Sequence, residues 1–402
     1  MLEFEEALAR VLAAAPQPTS ESVSLNKAAG RVLTAPIRSP IDLPIFDNSS
    51  MDGYAVRAID VSSATPASPV GLRVAGKVAA GQVFPAEVSS GSCVRLFTGS
   101  LLPPGTDAVV MQEDTRVDPA EPDKVLILTQ AQPGENVRLR GEDLRQGSQL
   151  ADAGQALSAG RIGLLAAAGL ARVQVGRRPL VGLLATGSEL MEPGRPLEPG
   201  RIYESNSPAL TPLIERAGAI PQTFPFVVDE LAGTSLALAE ALNQCDAIVT
   251  SGGVSVGEMD FLKRAFEQIG GSIEFWKVAI KPGRPFAFGR FGDKLLFGLP
   301  GNPVSALVTF LLLVRPALLR WQGATDVSLP THPGVLAEPL SNQGGRRHFV
   351  RVNVDAAGKV HSTGIQASHM LCSLAAANGL VDVPADSTLP AGSAVTVLRW
   401  EY

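Results

Sequence analysis

Residues 245–271 read CDAIVTSGGVSVGEMDFLKRAFEQIGG and contain an apolar run, a glycine-rich turn and a charged segment in that order. The apolar run predicts a buried strand, and the charged segment predicts a helix after it. The same alternation begins upstream at PLVGLLATG. It ends downstream with KLLFGLPGNP and a long helix, whose start is marked by Asn302 as cap and Pro303 in the first turn. This spacing predicts βαβ units in a parallel sheet, with ligands at the carboxyl ends of the strands.

The rest of the chain predicts further domains. A length of 402 residues predicts about two to four domains, and short β-rich runs separated by Gly and Pro flank the strand and helix region on both sides. We therefore predict a multi-domain α/β protein. Its parts are an N-terminal helix and linker region at 1–38, a β-rich inserted domain at 39–150, the return segment of a small helical and extended linker domain at 151–178, a doubly wound α/β domain at 179–326 and a C-terminal β-barrel-like domain at 327–402.

Composition excludes several classes of protein. Lys and Arg total 34 against 39 Asp and Glu, a net charge of −5, and 5% of residues are aromatic, which argues against nucleic acid as a partner. Cys93, Cys245 and Cys372 lie far apart in the sequence, which fits reduced thiols in a cytoplasmic protein better than a disulfide framework. The first segment, MLEFEEALARVLAAA, carries glutamates where a signal peptide carries lysines, and the apolar runs are short for a membrane span. We expect a cytoplasmic protein without a membrane partner.

Three polar turns lie in the predicted β-rich domain. They are DNSSMDGYAV at 47–56, FTGS at 97–100 and ENVRLRGEDL at 135–144. Asp52 can help to ligate a hard cation, Thr98 ends a strand that can present amides to an anion, and Arg138 lies near the carboxylate of Asp143. Each turn also has a plain structural explanation, namely an Asx-turn, a strand exit and a surface ion pair.

Two further loops follow buried strands of the α/β domain, at 185–190 (ATGSEL) and 250–260 (TSGGVSVGEMD). Gly252 and Gly253 let backbone amides approach a phosphate, and Ser251 and Ser255 supply hydroxyls. Neither loop has the spacing of a dinucleotide fingerprint or of a P-loop. Glycine for packing alone is the alternative, but two polar loops at one sheet edge favour a ligand cleft.

The segment WKVAIKPGRP at 276–285 places Lys277 and Lys281 four residues apart, before Arg284. If the segment is extended, both ammonium groups lie on one face and repel each other unless an anion lies between them. LPGNPVS at 299–305 then begins the long helix with its positive dipole end. These features together predict an oxyanion pocket, to which Glu189, Asp229 and Asp260 can add a cation.

The motifs MDGYAV, SGGVS and LPGNPVS, taken in order, resemble the MoeA family of molybdenum-cofactor enzymes, which includes the E domain of gephyrin. The resemblance covers nearly the full chain and makes the α/β domain MogA-like. It implies a cytoplasmic, magnesium-dependent molybdopterin molybdotransferase, in which adenylylated molybdopterin and molybdate give molybdenum cofactor and AMP. It also implies a homodimer that places the β-rich domain of one subunit against the α/β domain of the other, and as partners a molybdopterin-adenylylating protein and recipient molybdoenzymes.

The resemblance assigns roles to individual residues. The functional positions that match are Asp52, Thr98, Asp143, Glu189, Asp229, Asp260, Lys277 and Lys281, with Glu189 and Asp260 as metal ligands. The substrate pocket would contain Arg138, Ser251, Gly252, Gly253, Ser255, Arg284, Pro300, Gly301, Asn302, Pro303 and Ser368. Ser188 and Ala367 depart from the family pattern. We hypothesise that Lys277, Lys281 and the helix that opens at Pro303 hold molybdate.

Other functions stay open from the sequence. The α/β domain alone also resembles MogA-like adenylylating proteins and CinA-like nucleotide-amide hydrolases, although neither family explains MDGYAV. A non-catalytic scaffold of the gephyrin type is a further alternative. Molybdate and tungstate are both tetrahedral dianions, so the sequence does not distinguish between them.

Overall fold

The structure is a computed structural model. It describes residues 1–118, 120–228, 230–253 and 259–400, with the backbone alone for Met259 and Asp260. The chain folds into an α/β domain, a β-rich domain, a linker domain and a closed β-barrel, as predicted.

The α/β domain is built on a six-stranded sheet. In spatial order its strands are Ile220–Thr223, Leu180–Ala185, Ala247–Ser251, Lys294–Leu299, Ala287–Phe291 and Ser272–Trp276. The first four are parallel, as predicted, and the last two are antiparallel to their neighbours. The predicted parallel sheet is confirmed for the first four strands. The last two strands were not predicted, and Ala287–Phe291 is antiparallel because a two-residue turn at 292–293 joins it to Lys294–Leu299, and such a turn can only join antiparallel strands.

Helices cover both faces of this sheet. They are Asn206–Arg216, Leu231–Gln244, Met259–Gln268 and the helical run Pro303–Trp321. All five residues of the central strand Ala247–Ser251 are buried, as expected of a strand covered on both faces. Two apolar clusters result, one on each face, and Val249 and Ile248 point into opposite ones.

The long helix has the predicted extent, Pro303–Trp321, but it is not α-helical throughout. It continues from Pro303–Thr309 through a π-helical turn, Phe310–Val314, into Arg315–Trp321. Pro316 has no N–H to donate to the preceding turn, and the wider turn before it accommodates that loss. By length and composition Pro303–Trp321 could cross a membrane, but 78% of its most apolar window is buried inside the protein, as in a core helix.

The linker domain is assembled from two distant parts of the chain. Ser20–Ser24 pairs antiparallel with Arg172–Gly176, and Ile37–Arg38 pairs with Gln149–Ala151. The predicted helix after residue 158 runs from Ala159 to Ala167, and the Ser158 hydroxyl accepts a hydrogen bond from the amide of Arg161 at 3.3 Å. The N-terminal helix Phe4–Ala14 lies elsewhere, since its buried face belongs to the core of the α/β domain.

The β-rich domain contains a second six-stranded sheet. Its strands in spatial order are Ala108–Met111, Gly53–Val56, Ser92–Leu96, Val70–Val78, Lys124–Ile127 and Thr115–Val117. Gly53 lies where its strand approaches the neighbouring backbone most closely, because an added Cβ would be 2.1 Å from the Val110 carbonyl oxygen. Only glycine fits there.

The C-terminal domain is a closed five-stranded barrel. Its strands pair in the order Arg347–Val354, Lys359–Ser362, Thr331–Leu336, Ala394–Arg399 and Gly379–Val383, and the last pairs again with the first. A short strand of the α/β domain, Ile280–Lys281, pairs with Arg347–Val354 from outside this ring. The barrel is thereby fixed beside the carboxyl edge of the α/β sheet.

Candidate active site

A cavity lies where the topology of the α/β sheet reverses. The chain leaves Leu180–Ala185 toward one edge of the sheet and leaves Ala247–Ser251 toward the other, so a crevice opens between their carboxyl ends. This cleft has a volume of about 550 Å³. Its lining includes the predicted residues Glu189, Ser251, Gly252, Gly253, Pro300, Gly301, Asn302 and Pro303.

The glycine pair shapes the floor of the cleft. Gly252 has φ +94°, and a Cβ there would lie 2.3 Å from the carbonyl oxygen of Thr186. A Cβ on Gly253 would lie 2.9 Å from the Thr186 hydroxyl oxygen. Two strand ends therefore touch through glycine backbone, and no larger residue fits between them.

Asn206 binds the ends of two strands to each other. It is the first residue of helix Asn206–Arg216, and its Nδ2 donates hydrogen bonds to Ser251 Oγ and, at 2.8 Å, to the carbonyl oxygen of Gly301. Glu204 Oε1 accepts hydrogen bonds from the amides of Asn206 at 2.7 Å and Ser207 at 2.9 Å. The carboxylate therefore caps this helix, which fixes Asn206 in place.

Two residues that line the cleft each have a buried polar atom without a hydrogen-bond partner within the described residues. The atoms are Oδ1 of Asn206, a residue that is 8% exposed, and Oγ1 of Thr186, which is 6% exposed. An unpaired buried polar atom costs about 1–3 kcal/mol, so such atoms beside a cavity are places where a ligand or an ordered water would supply the partner.

The barrel contributes one wall of the cleft. Pro303 occupies the first turn of its helix and Asn302 the cap position, as predicted, but the Asn302 side chain does not cap the helix. It donates instead to Ser368 Oγ at 3.1 Å, and the amide of Val304 donates to the carbonyl oxygen of Ser368 at 3.3 Å. The predicted substrate residue Ser368 thus lies at the helix N-terminus, and its neighbours His369 and Leu371 line the cleft.

A buried arginine holds this barrel segment. Arg351 is 0% exposed; its Nη2 donates to the carbonyl oxygens of Ile365 at 3.0 Å and Ala367 at 3.2 Å, and its Nε donates to Ser373 Oγ at 3.1 Å. Burial lowers the pKa of Arg351. The segment that carries Ser368 is therefore fixed from inside the barrel.

Lys277 and Lys281 do not lie on one extended strand. Lys277 has φ +70°, and its Nζ lies 5.6 Å from the centre of the Trp276 ring. Lys281 belongs to the short strand beside the barrel, where its register partner is His348. The segment is therefore not extended throughout, because the backbone turns at Lys277, and the condition for one extended face is not met. Among the described residues that line the cleft there is neither a lysine nor an arginine.

A group of cations gathers instead at the junction of the α/β domain and the barrel. Burial, and after it the charges of Lys281, Arg351 and Arg346, lower the pKa of the buried His348 to about 4. Burial and the charge of Arg284 lower the pKa of Arg346. Pro285, next to Arg284, lines the cleft, so this cationic junction adjoins its rim.

The predicted residues of the β-rich domain form a separate group. Asp52 Oδ1 accepts hydrogen bonds from the amide of Thr98 at 2.7 Å and from its hydroxyl at 2.8 Å. These bonds, amide first, lower the pKa of Asp52. Arg138 pairs in register with Asn48 on the neighbouring strand, and the amide of Asp143 donates to the Leu43 carbonyl oxygen at 3.0 Å. All four predicted side chains are exposed and none lines the cleft.

Some predicted residues lie outside what the structure describes. They are Asp229, Ser255 and the side chain of Asp260. Conversely, sequence reasoning did not select Thr186, Glu204, Asn206 or His369, which all line the cleft. Nothing in the spacing of Glu204 and Asn206 predicted a role for either residue.

Known proteins and family models match this chain along nearly its whole length. Three family models match: "MoeA N-terminal region (domain I and II)" at residues 2–169, "Probable molybdopterin binding domain" at 182–320 and "MoeA C-terminal region (domain IV)" at 333–400. The Haemophilus influenzae molybdopterin molybdenumtransferase is 39% identical over 404 residues, which cover 99% of this chain and 98% of the relative. The Mycobacterium tuberculosis molybdopterin molybdenumtransferase 2 is 42% identical over 371 residues, with 91% of each chain covered.

A solved structure also matches the chain over its full length. The crystal structure of a molybdopterin biosynthesis MoeA protein from Pyrococcus horikoshii is 31% identical, covers 100% of both chains and has a TM-score of 0.85. Full-length matches of this kind relate all four domains of the chain, and the switch-point cleft with them, to one family. The chain belongs to the MoeA family.

Proposed function

We propose that the protein transfers molybdenum from molybdate into adenylylated molybdopterin and releases AMP, the last step of molybdenum cofactor biosynthesis. The observation that carries the proposal is the cleft at the sheet switch point, which contains unpaired polar atoms, in a chain whose full-length relatives are named molybdopterin molybdenumtransferases. The alternatives limited to the α/β domain, adenylylation or nucleotide-amide hydrolysis, account for none of the other three domains.

The residues of the cleft suit a phosphorylated pterin. Backbone at Gly252 and Gly253 approaches without side chains, and the helix that begins at Pro303 directs its positive dipole end into the cavity. The cationic junction of Lys281, Arg284 and Arg346 adjoins the rim and suits a second anion such as molybdate. Together they would hold the two substrates side by side and limit access of water.

Magnesium fits the donors of the cleft. Glu189 contributes a carboxylate that folds over Gly187, where a Cβ would lie 2.7 Å from its Oε2. The described residues contain no group of three or more His, Cys, Asp or Glu side chains arranged to hold a metal. Mg²⁺ commonly uses one or two carboxylates together with substrate phosphates, so Glu189, with Asp260 by family resemblance, would hold it. The ion would neutralise phosphate charge.

We further propose a cytoplasmic homodimer, in which the Asp52 and Thr98 pair of one subunit faces the cleft of the other. The exposure of that pair and its absence from the described residues that line the cleft support this arrangement. The three cysteines are free, which suits a reducing compartment. The molybdopterin-adenylylating protein and recipient apoenzymes would be the partners, with no nucleic acid or membrane involved.

The test is AMP release from adenylylated molybdopterin by the purified protein with magnesium, with and without molybdate, followed by activation of a molybdenum-free apoenzyme. We expect molybdate-dependent release and activation. AMP release without activation would contradict metal insertion, and no AMP release would favour the scaffold. Omission of magnesium tests the cation separately.

A further inference from the structure

We propose that Asn206 recognises the pterin ring of the substrate. Its Oδ1 accepts a hydrogen bond from the exocyclic amino group of that ring. This inference rests on the proposed function and specifies which end of the substrate enters the cleft. It makes Asn206 a specificity-determining residue.

The orientation of the Asn206 amide is fixed by its partners. The carbonyl oxygen of Gly301 can only accept a hydrogen bond, so the atom 2.8 Å from it must be the donor Nδ2. A flipped amide would place two oxygens against each other. The atom left over is therefore Oδ1, an acceptor, and it is the unpaired one.

The same contacts hold Oδ1 rigidly. Nδ2 is bound to two strand ends, and the backbone amide of Asn206 is bound to Glu204. The side chain has no freedom to turn toward another partner, and the residue is 8% exposed. A fixed buried acceptor discriminates strongly between ligands with and without a matching donor, because a ligand that lacks the donor leaves the acceptor unpaired.

The charge beside Asn206 favours N–H donors over an anion at this end of the cleft. The carboxylate of Glu204 is bound to the amides of Asn206 and Ser207, and the described lining residues include neither lysine nor arginine. A 2-amino-4-oxopterin presents an amino group and an adjacent ring N–H on one edge. The ring edge then meets Asn206, and the anionic groups extend toward the helix terminus at Pro303 and the cationic junction.

The experiment compares two phosphate-free probes, pterin and lumazine, which differ in having an amino group or a carbonyl at position 2. Both are fluorescent, and each is titrated with the wild-type protein to give a dissociation constant. We expect pterin to bind about 10-fold to 100-fold more tightly, as a buried acceptor that loses its donor predicts. Equal affinity in the wild type would overturn the inference without any variant.

The variant Asn206→Leu removes the acceptor and should reduce the preference for pterin to within about twofold. Thr250→Val is the matched control, since the Thr250 hydroxyl is also buried and unpaired among the described residues but does not line the cleft. It should keep the wild-type preference. Thermal unfolding of both variants shows whether they are folded.

The outcomes separate the two proposals. A pterin preference that survives Asn206→Leu in a folded protein would overturn the role of Asn206, while molybdate-dependent AMP release would still support the function. A pterin preference without any AMP release would overturn the proposed function and leave recognition by Asn206 supported.

Discussion

The cleft of the α/β domain and the Asp52–Thr98 pair of the β-rich domain are built in opposite ways. The cleft is enclosed by three strand ends and contains buried polar atoms without partners among the described residues. Asp52 and Thr98 are exposed, and each satisfies the other. An enclosed site with unpaired groups is ready to bind a ligand by itself, whereas an exposed, satisfied pair gains a role only when another surface covers it.

The strongest test of this contrast is Gly252→Ala. The new Cβ would collide with the Thr186 carbonyl at a backbone conformation that alanine rarely adopts, so the strand ends must separate. We expect AMP release to fall at least about 100-fold, since small displacements of a positioned site cost that much. Gly91→Ala is the control, because Gly91 also has positive φ, +76°, but nothing lies within 4 Å of its added Cβ. Comparable losses in both variants would contradict the special role of the cleft.

The next test asks whether the pair and the cleft meet across two subunits. Asp52→Asn keeps an oxygen that can accept the Thr98 bonds but removes the charge, so that variant should fold and lose activity. If the site is composite, mixing it with Gly252→Ala gives hybrid dimers with one intact site, and activity returns to about a quarter of the wild-type value. A mixture that stays inactive would place both groups in one subunit's site or show that no dimer forms.

A smaller effect is expected from Arg351→Lys. Lysine keeps the charge but cannot reach both the Ile365 and Ala367 carbonyls, so the barrel segment that carries Ser368 should loosen. We expect KM for adenylylated molybdopterin to rise roughly tenfold while kcat changes less, because binding and not the reaction is weakened. Steady-state kinetics check this. A fall in kcat at unchanged KM would be inconsistent with a positioning role.

The smallest effect concerns stability against pH. The hydrogen bonds from Thr98 lower the pKa of Asp52 below 3.8, so they stabilise the fold above that value and the contribution is lost as pH falls through the lowered pKa. The unfolding temperature of the wild type should therefore be slightly higher than that of Asp52→Asn at pH 7. The difference should vanish in acid. Thermal unfolding at both pH values measures it, and a difference that grows in acid would be the wrong sign.

The sequence predicted the helices and the four parallel strands of the α/β domain because a buried strand and an amphipathic helix are local patterns. It did not predict the antiparallel edge, since Ala287–Phe291 has the same local pattern as a parallel strand and only the turn at 292–293 sets its direction. The turn at Lys277 was also missed, because a positive φ at lysine has no local signal.

Prediction of the site was similarly uneven. Glycines after buried strands located the cleft, since phosphate-binding loops have that composition. Asn206 was not selected because its chemistry arises only when Ser251 and Gly301, distant in sequence, converge on its Nδ2. Lys277 and Lys281 were grouped by the spacing of an extended strand, which the positive φ of Lys277 interrupts.

The discontinuous linker domain has a consequence for how the chain folds during synthesis. Ser20–Ser24 cannot pair until Arg172–Gly176 has left the ribosome, and at typical rates of translation that delay is roughly 10–30 seconds. The polypeptide enters and leaves the inserted β-rich domain through two adjacent segments, since the amide of Ser39 donates to the Ser148 carbonyl oxygen at 2.8 Å. This domain is therefore the first part of the molecule that can complete its own core, and its folding brings the two halves of the linker domain together.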